Sequence, residues 1–215
     1  MNEIVKASEQ LQTFKGGSFK DRVKQLERTF SGATSNTAGS LTAQEQVGED
    51  LLSAAFLIKH NSSQINEVIH TLGILLALPS ILEEGERVED MSLAAGNTGK
   101  GFDLETTNRI AEFTFIEWQG GSEVIRQNKV FKDFYFLAEA ETDKTKELYV
   151  IGTSHVRSFL NSQRGLPQIL KGNAKLGNSF REKYGDQFQT VYDYYITKKD
   201  TVRIRDIREH ISVLQ

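Results

Sequence analysis

The stretch Gly101-Phe-Asp-Leu-Glu-Thr-Thr-Asn-Arg-Ile-Ala-Glu-Phe-Thr-Phe-Ile116 decides the fold, because polar and apolar residues alternate through it on both sides of Thr107-Asn108. Alternation with period two marks a strand, and Asn tolerates the positive φ that a two-residue turn requires. The stretch reads as one β-hairpin in which the numbers of facing residues sum to 215. That register sets Asp103 opposite Glu112, with Cβ atoms roughly 5 Å apart. Phe102, Leu104, Ala111, Phe113 and Phe115 then share one face, while Asp103, Glu105, Glu112 and Thr114 share the other. One face makes core and the other is free for chemistry. Facing carboxylates repel unless a cation, a proton or a basic side chain lies between them, so the pair is a candidate divalent-metal site. A solvated sheet face, on which the acids carry no role, is the competing reading.

Downstream, Gly120-Gly121 breaks the strand and Ser122 is an N-cap for a helix running to about residue 140. Val124, Phe131, Phe134 and Ala138 form its buried stripe, and Gln127 lies on that stripe as a polar residue needing a partner. Residues 147–152 read as a buried strand and 154–163 as a further helix, with shorter helices and a strand at 189–197 in the tail. Upstream, residues 1–30 read as two short helices broken at Gly16-Gly17, and 31–40 as a linker of Gly, Ser, Thr and Asn. Helical pattern returns from about residue 43, breaks at Asn61-Ser62-Ser63 and resumes from 65 to 78, where Pro79 ends it. The run Gly73-Ile-Leu-Leu-Ala-Leu is apolar all round, as in a buried helix. Residues 87–95 can form a strand that enters the hairpin through Gly96-Asn-Thr-Gly-Lys-Gly101. A phosphate loop is excluded there: Ala94 stands where its first glycine belongs, Gly101 follows Lys100 in place of Ser or Thr, and a strand follows instead of a helix.

A chain of 215 residues can bury a substantial core, and the pattern divides it into a helical extension with linker at 1–40 and an α/β domain at 41–215. Without an unbroken apolar run of about 18 residues or a signal-peptide core, the expectation is a soluble cytoplasmic protein with no membrane contact. The absence of cysteine excludes disulfides, Cys-ligated zinc, iron–sulfur clusters and a thiol nucleophile. His60, His70, His155 and His210 are too scattered to suggest a ligand set, and each reads as an ordinary histidine. Charge is distributed unevenly. Residues 156–215 hold 11 Lys and Arg against 6 Asp and Glu, whereas the preceding part holds 15 against 23. A basic C-terminal excess suits phosphate contacts, and equally suits solvated helix faces.

The order helix, strand, acid-bearing hairpin, helix, strand, helix over roughly residues 62–165 resembles the PD-(D/E)xK nuclease superfamily, with its restriction-endonuclease-like fold. The resemblance implies a mixed central sheet flanked by helices. It also implies Mg²⁺ or Mn²⁺ held by Asp103 and Glu112, with DNA as the partner and a homodimer as an open option. Asp103 matches the motif's Asp, and Glu112-Phe113-Thr114 matches Glu-x-Lys at its first position only, leaving Thr114 where the lysine belongs. The family often adds an acid from the helix before the hairpin, for which Glu67 is the candidate, and some members move the lysine or a substitute to the following helix. That helix offers Arg126, Gln127, Lys129 and Lys132, of which the inward-pointing Gln127 is the first choice as a site contact. Glu117, in the second phase Glu117-Trp118-Gln119, is a runner-up ligand on the wrong face of the strand. The resemblance implies a Mg-dependent DNA phosphodiesterase with a degenerate or migrated lysine. The alternatives are an inactive DNA-binding or assembly subunit of the same fold, and a protein-interaction module.

Overall fold

A computed structural model describes residues 2–31, 34–62, 65–93, 101–118 and 123–215. The glycine-rich connection at 94–100, the break at Gly120-Gly121, the Ser122 cap and Ser63 lie outside the described residues. Packing divides the chain into two compact units, Met1–Ile65 and Asn66–Gln215. The division falls after the fourth helix rather than near residue 40.

The first unit holds four helices, α1 (Glu3–Lys15), α2 (Phe19–Phe30), α3 (Ser35–Gln44) and α4 (Glu49–Asn61), with α1 packed on α4. The break at Gly16-Gly17 is real, since Gly16 closes α1 at a φ of 59°. The expected linker is instead largely α3. Its start is capped by Thr34, whose N–H donates to Thr37 Oγ1 at 2.9 Å, so a composition that reads as linker supplies a helix cap. Arg22 ties α2 to the end of α3 through Glu45, at 2.6 Å.

The second unit opens with α5 (Ile65–Ile81) and continues through β1 (Val88–Met91), β2 (Leu104–Thr106), β3 (Arg109–Thr114), α6 (Val124–Glu139) and β4 (Thr145–Val150). Four short helices follow, α7 (Thr153–Leu160), α8 (Leu166–Leu170), α9 (Ala174–Tyr184) and α10 (Val191–Lys198), before β5 (Arg203–Asp206) and two short 3₁₀ turns. The five strands form one mixed sheet in chain order, antiparallel from β1 to β3 and parallel from β3 to β5. The architecture is α/β, with helices on both faces of the sheet. The hairpin register is as the sequence reads it: Leu104 pairs with Ala111 and Glu105 with Ile110.

Both faces of the sheet are core, contrary to the expectation of one free face. Leu104, Ala111, Phe113 and Tyr149 pack under Ile74, Ala77 and Ile81 of α5 and against Ile207 and Ile211. Gly73 permits this approach, because a Cβ there would overlap the Phe115 ring. On the opposite face Ile110, Leu148, Val150 and Ile204 lie under Val130, Phe131, Phe134 and Leu137 of α6 and under α7 to α10. Phe102 joins this second layer rather than the Leu104 face, because alternation starts only where β2 does. Helix α5 is not apolar all round in use: Ile74 and Ala77 are buried while Leu75 and Leu76 are exposed. Pro79 lies inside its last turn rather than ending it. By length and hydropathy alone the stretch Glu49–Ile81 is apolar enough to cross a membrane, a property it shares with core helices of soluble proteins and one that scanning for an unbroken apolar run overlooks.

The tail strand expected at 189–197 is helix α10. Thr190 Oγ1 accepts the Asp193 N–H at 3.2 Å while Asp193 Oδ2 accepts the Thr190 N–H at 2.8 Å, a capping box that overrides the strand preference of tyrosine. Tyr194 and Tyr195 pack against Phe134. Tyr194 and Tyr184 both donate to Glu139 Oε1 at 2.7 Å, fixing α9 and α10 to the end of α6.

Candidate functional site

The hairpin delivers two carboxyls to one place. Asp103 stands one residue before β2, where the register would set it opposite Glu112, and its Oδ2 accepts the Phe113 N–H at 2.9 Å. Helix α5 adds His70, whose Nε2 lies 3.4 Å from Asp103 Oδ1. Helix α6 covers the pair from the other side with Lys129 and Asp133, one turn apart. The Lys129 Nζ sits 2.5 Å from Asp133 Oδ2, and Thr114 Oγ1 donates to the same oxygen at 3.4 Å. Lys132 Nζ is 3.7 Å from Asp133 Oδ1, an atom that is fully buried and has no hydrogen-bond partner.

These neighbours split the two hairpin acids. Burial, then the charges of Asp133 and Asp103, pushes the Glu112 carboxyl up to about 9, against the smaller opposing pull of Lys129. Burial also acts to raise Asp103, but the His70 ring 3.4 Å away and the hydrogen bond from the Phe113 N–H outweigh it and hold that carboxyl below its ordinary value. Near neutral pH the pair is therefore one carboxylate and one carboxylic acid, the arrangement by which adjacent acids take different roles. For Lys129, burial lowers the ammonium's pKa, but Asp133, then Glu112 and Asp103, raise it overall, so it stays charged.

Of the residues singled out from sequence, Asp103, Glu112 and Thr114 come together. Glu67 points away on the exposed side of α5, and His70, one turn later, occupies the place it was expected to fill. Glu117 is exposed beyond the end of β3. Gln127 is buried as expected but lines a separate cavity with Trp118 and His155. At about 100° per residue, Gln127 and Lys129 lie on opposite flanks of α6. His70, Lys129 and Asp133 are the members that sequence reasoning passed over or ranked low. The i,i+4 pair Lys129/Asp133 is a readable signal, whereas the approach of His70 depends on tertiary packing.

Among the described residues no three His, Asp or Glu side chains converge as a ligand set for one ion. A cation at the hairpin pair would draw most of its shell from water or substrate, as Mg²⁺ commonly does, with one or two carboxylates from the protein. The excess of acid over base around Glu112 and the unpartnered Asp133 oxygen suit such an ion. Comparison with family models, with characterised proteins and with solved structures finds no match to this chain.

Proposed function

We propose that the chain is a nuclease-like protein: a Mg²⁺- or Mn²⁺-dependent phosphodiesterase acting on DNA, built on a restriction-endonuclease-like core of α5, β1, β2, β3, α6 and β4. Lys129 takes over the task of the lysine that position 114 lacks. One observation carries this reading. The ammonium of Lys129, on the helix that follows the hairpin, is held by Asp133 at 2.5 Å and acts electrostatically on both Glu112 and Asp103.

Asp103 and Glu112 would hold the ion, Glu112 giving up its proton on binding, and the ion would supply an acidified water and offset charge on the phosphate. The chain's own residues do the rest. Lys129 stays protonated and so serves as a fixed positive charge for phosphate oxygens, not as a proton acceptor. Asp103 is the ionised member of the pair, oriented by His70 and the Phe113 N–H, while Thr114 and Lys132 hold Asp133 in place beneath Lys129.

A second reading, a DNA-binding subunit of the same fold that does not cut, is favoured by the closeness of Lys129 to Asp133, which neutralises the ammonium within the chain. Purified protein assayed with Mg²⁺ or Mn²⁺ on plasmid and single-stranded DNA separates the two. The expected result is cleavage that Asp103→Ala abolishes; cleavage indifferent to that substitution would sink the site. Salt-dependent DNA binding with no cleavage would select the second reading.

A further inference from the structure

On the flank of α6 away from Lys129 lies a cavity of about 200 Å³ lined by Trp118, Gln127, His155, Ser158, Phe159 and Ser162. Its walls follow the carboxyl ends of two neighbouring parallel strands: Trp118 comes after β3, while His155, Ser158 and Phe159 belong to α7, which comes after β4. Three of the six lining residues are rings. The Trp118 indole lies 6.2 Å from the His155 ring and 5.8 Å from the Phe159 ring.

Two polar atoms of this lining have no hydrogen-bond partner among the described residues, Trp118 Nε1 and Gln127 Oε1, in residues only 8% and 7% exposed. One is a donor and the other an acceptor, and buried groups of either kind are almost always paired in native folds. Among the described residues no Lys, Arg, Asp or Glu lines the cavity, so its chemistry suits neither a phosphate nor an ammonium group. Sites for drug-sized ligands occupy roughly 300–1,000 Å³, so this smaller one takes a single compact ring system. A neutral, flat ligand with a donor and an acceptor on its edge meets all these conditions. Nucleobases have that form: they stack on aromatic side chains and pair with the Gln amide.

We propose that this cavity receives one unstacked nucleobase of the nucleic acid whose backbone lies at the Asp103, Glu112 and Lys129 cluster, an assignment that rests on the function proposed above. Helix α6 carries both contacts, Gln127 in its first turn and Lys129 two residues later, so one rigid element would fix the base and the backbone together. Removing a base from its stack costs least in unpaired strands, so the substrate class is single-stranded or locally unpaired nucleic acid.

Trp118 is the sole tryptophan, and its emission therefore reports on this cavity alone. The full chain is titrated with adenosine, guanosine, cytidine and thymidine, exciting at the red edge of the indole band where nucleosides do not absorb. A saturable change with at least one nucleoside is expected, weakened about tenfold or more in Gln127→Leu, the order of loss for one bidentate base contact. Should Gln127→Leu fail to fold, Ser158→Leu, which fills the cavity from its exposed side, is expected to remove the response. No saturable change with any nucleoside, or unaltered binding in the folded variant, overturns the assignment. Saturable binding by a chain that cuts nothing would keep the base site and remove the cleavage reading. Cleavage that needs Asp103, in a chain that binds no nucleoside, would do the reverse.

Discussion

At the scale of single residues, the lysine at position 129 and the threonine at 114 make one testable pair. Thr114 Oγ1 and Lys129 Nζ meet the same Asp133 oxygen, at 3.4 Å and 2.5 Å, so they are two approaches to one place, from the strand and from the helix. Under the proposed function Lys129→Ala lowers the cleavage rate by about 10²–10³, the usual effect of losing one preorganised donor. Adding Thr114→Lys to that variant is expected to return part of the rate, since it restores the ammonium from the strand side. Single-turnover cleavage with Mg²⁺ measures both, and a double variant no faster than Lys129→Ala would show that position 114 does not face the reacting phosphate. The two hairpin acids were legible in sequence because period two and a recognisable turn fix what faces what. The cation was less so. A rule that favours inward-pointing residues selects Gln127, which belongs to the core stripe with Phe131 and Phe134, whereas Lys129 sits beside the stripe with 37% of its side chain exposed. His70 was illegible for a different reason, because nothing local to α5 says that Asp103 will arrive beside it.

At the scale of elements, the turn end of the hairpin is held by a buried ionic cluster that no sequence pattern announced. Arg109 donates from Nε and Nη2 to the two oxygens of Glu86, each at 2.7 Å, and from Nη1 to Glu147 at 2.7 Å; the Thr106 hydroxyl also donates to Glu86. This joins the segment before β1 to β3 and β4. Burial alone would raise the Glu86 carboxyl, but Arg109, the Glu83 backbone and Thr106 bring it down to about 2 from an ordinary 4.5. A depressed carboxyl stabilises the fold above its unfolded pKa and loses that contribution as pH falls. The wild-type melting temperature is therefore expected to drop between about pH 4.5 and 2, with this cluster contributing to the drop. Arg109→Met leaves the buried Glu86 carboxylate without a cation and Glu147 with Arg205 alone, and should cost about 3–5 kcal/mol at neutral pH. Thermal melts across that pH range check both, and a neutral-pH melt unchanged by the substitution would remove the cluster from the account of stability. The register of the same hairpin was readable from residues alone. Helices α3 and α10 were not, because reciprocal caps at Thr34 and Thr190 decide them against linker-like and strand-like compositions.

At the scale of the whole molecule, every member of the candidate site and of the proposed base cavity lies beyond residue 65. His70, Asp103, Glu112, Lys129 and Asp133, together with the lining from Trp118 to Ser162, belong to the unit Asn66–Gln215, and both large hydrophobic clusters are drawn from it as well. A unit with its own core is expected to fold without Met1–Ile65. Five of the eleven basic residues of the tail, which suggested a phosphate grip, are engaged within this unit. Lys183 and Lys198 pair with Glu139, Arg205 with Glu147 and Arg208 with Asp206, while Arg157 donates to the Ile204 carbonyl. These five serve the fold as well as the surface, so the charge count alone does not measure a phosphate-binding face. A fragment spanning 66–215 is accordingly expected to give one cooperative thermal transition and, under the proposed function, the cleavage rate of the full chain within about threefold, a difference of under 1 kcal/mol in activation free energy. Calorimetry and the single-turnover assay measure the two halves of this expectation separately. A fragment that folds but loses cleavage would show that the N-terminal helices contribute to the substrate site, and one that does not fold would show that the two units stabilise each other.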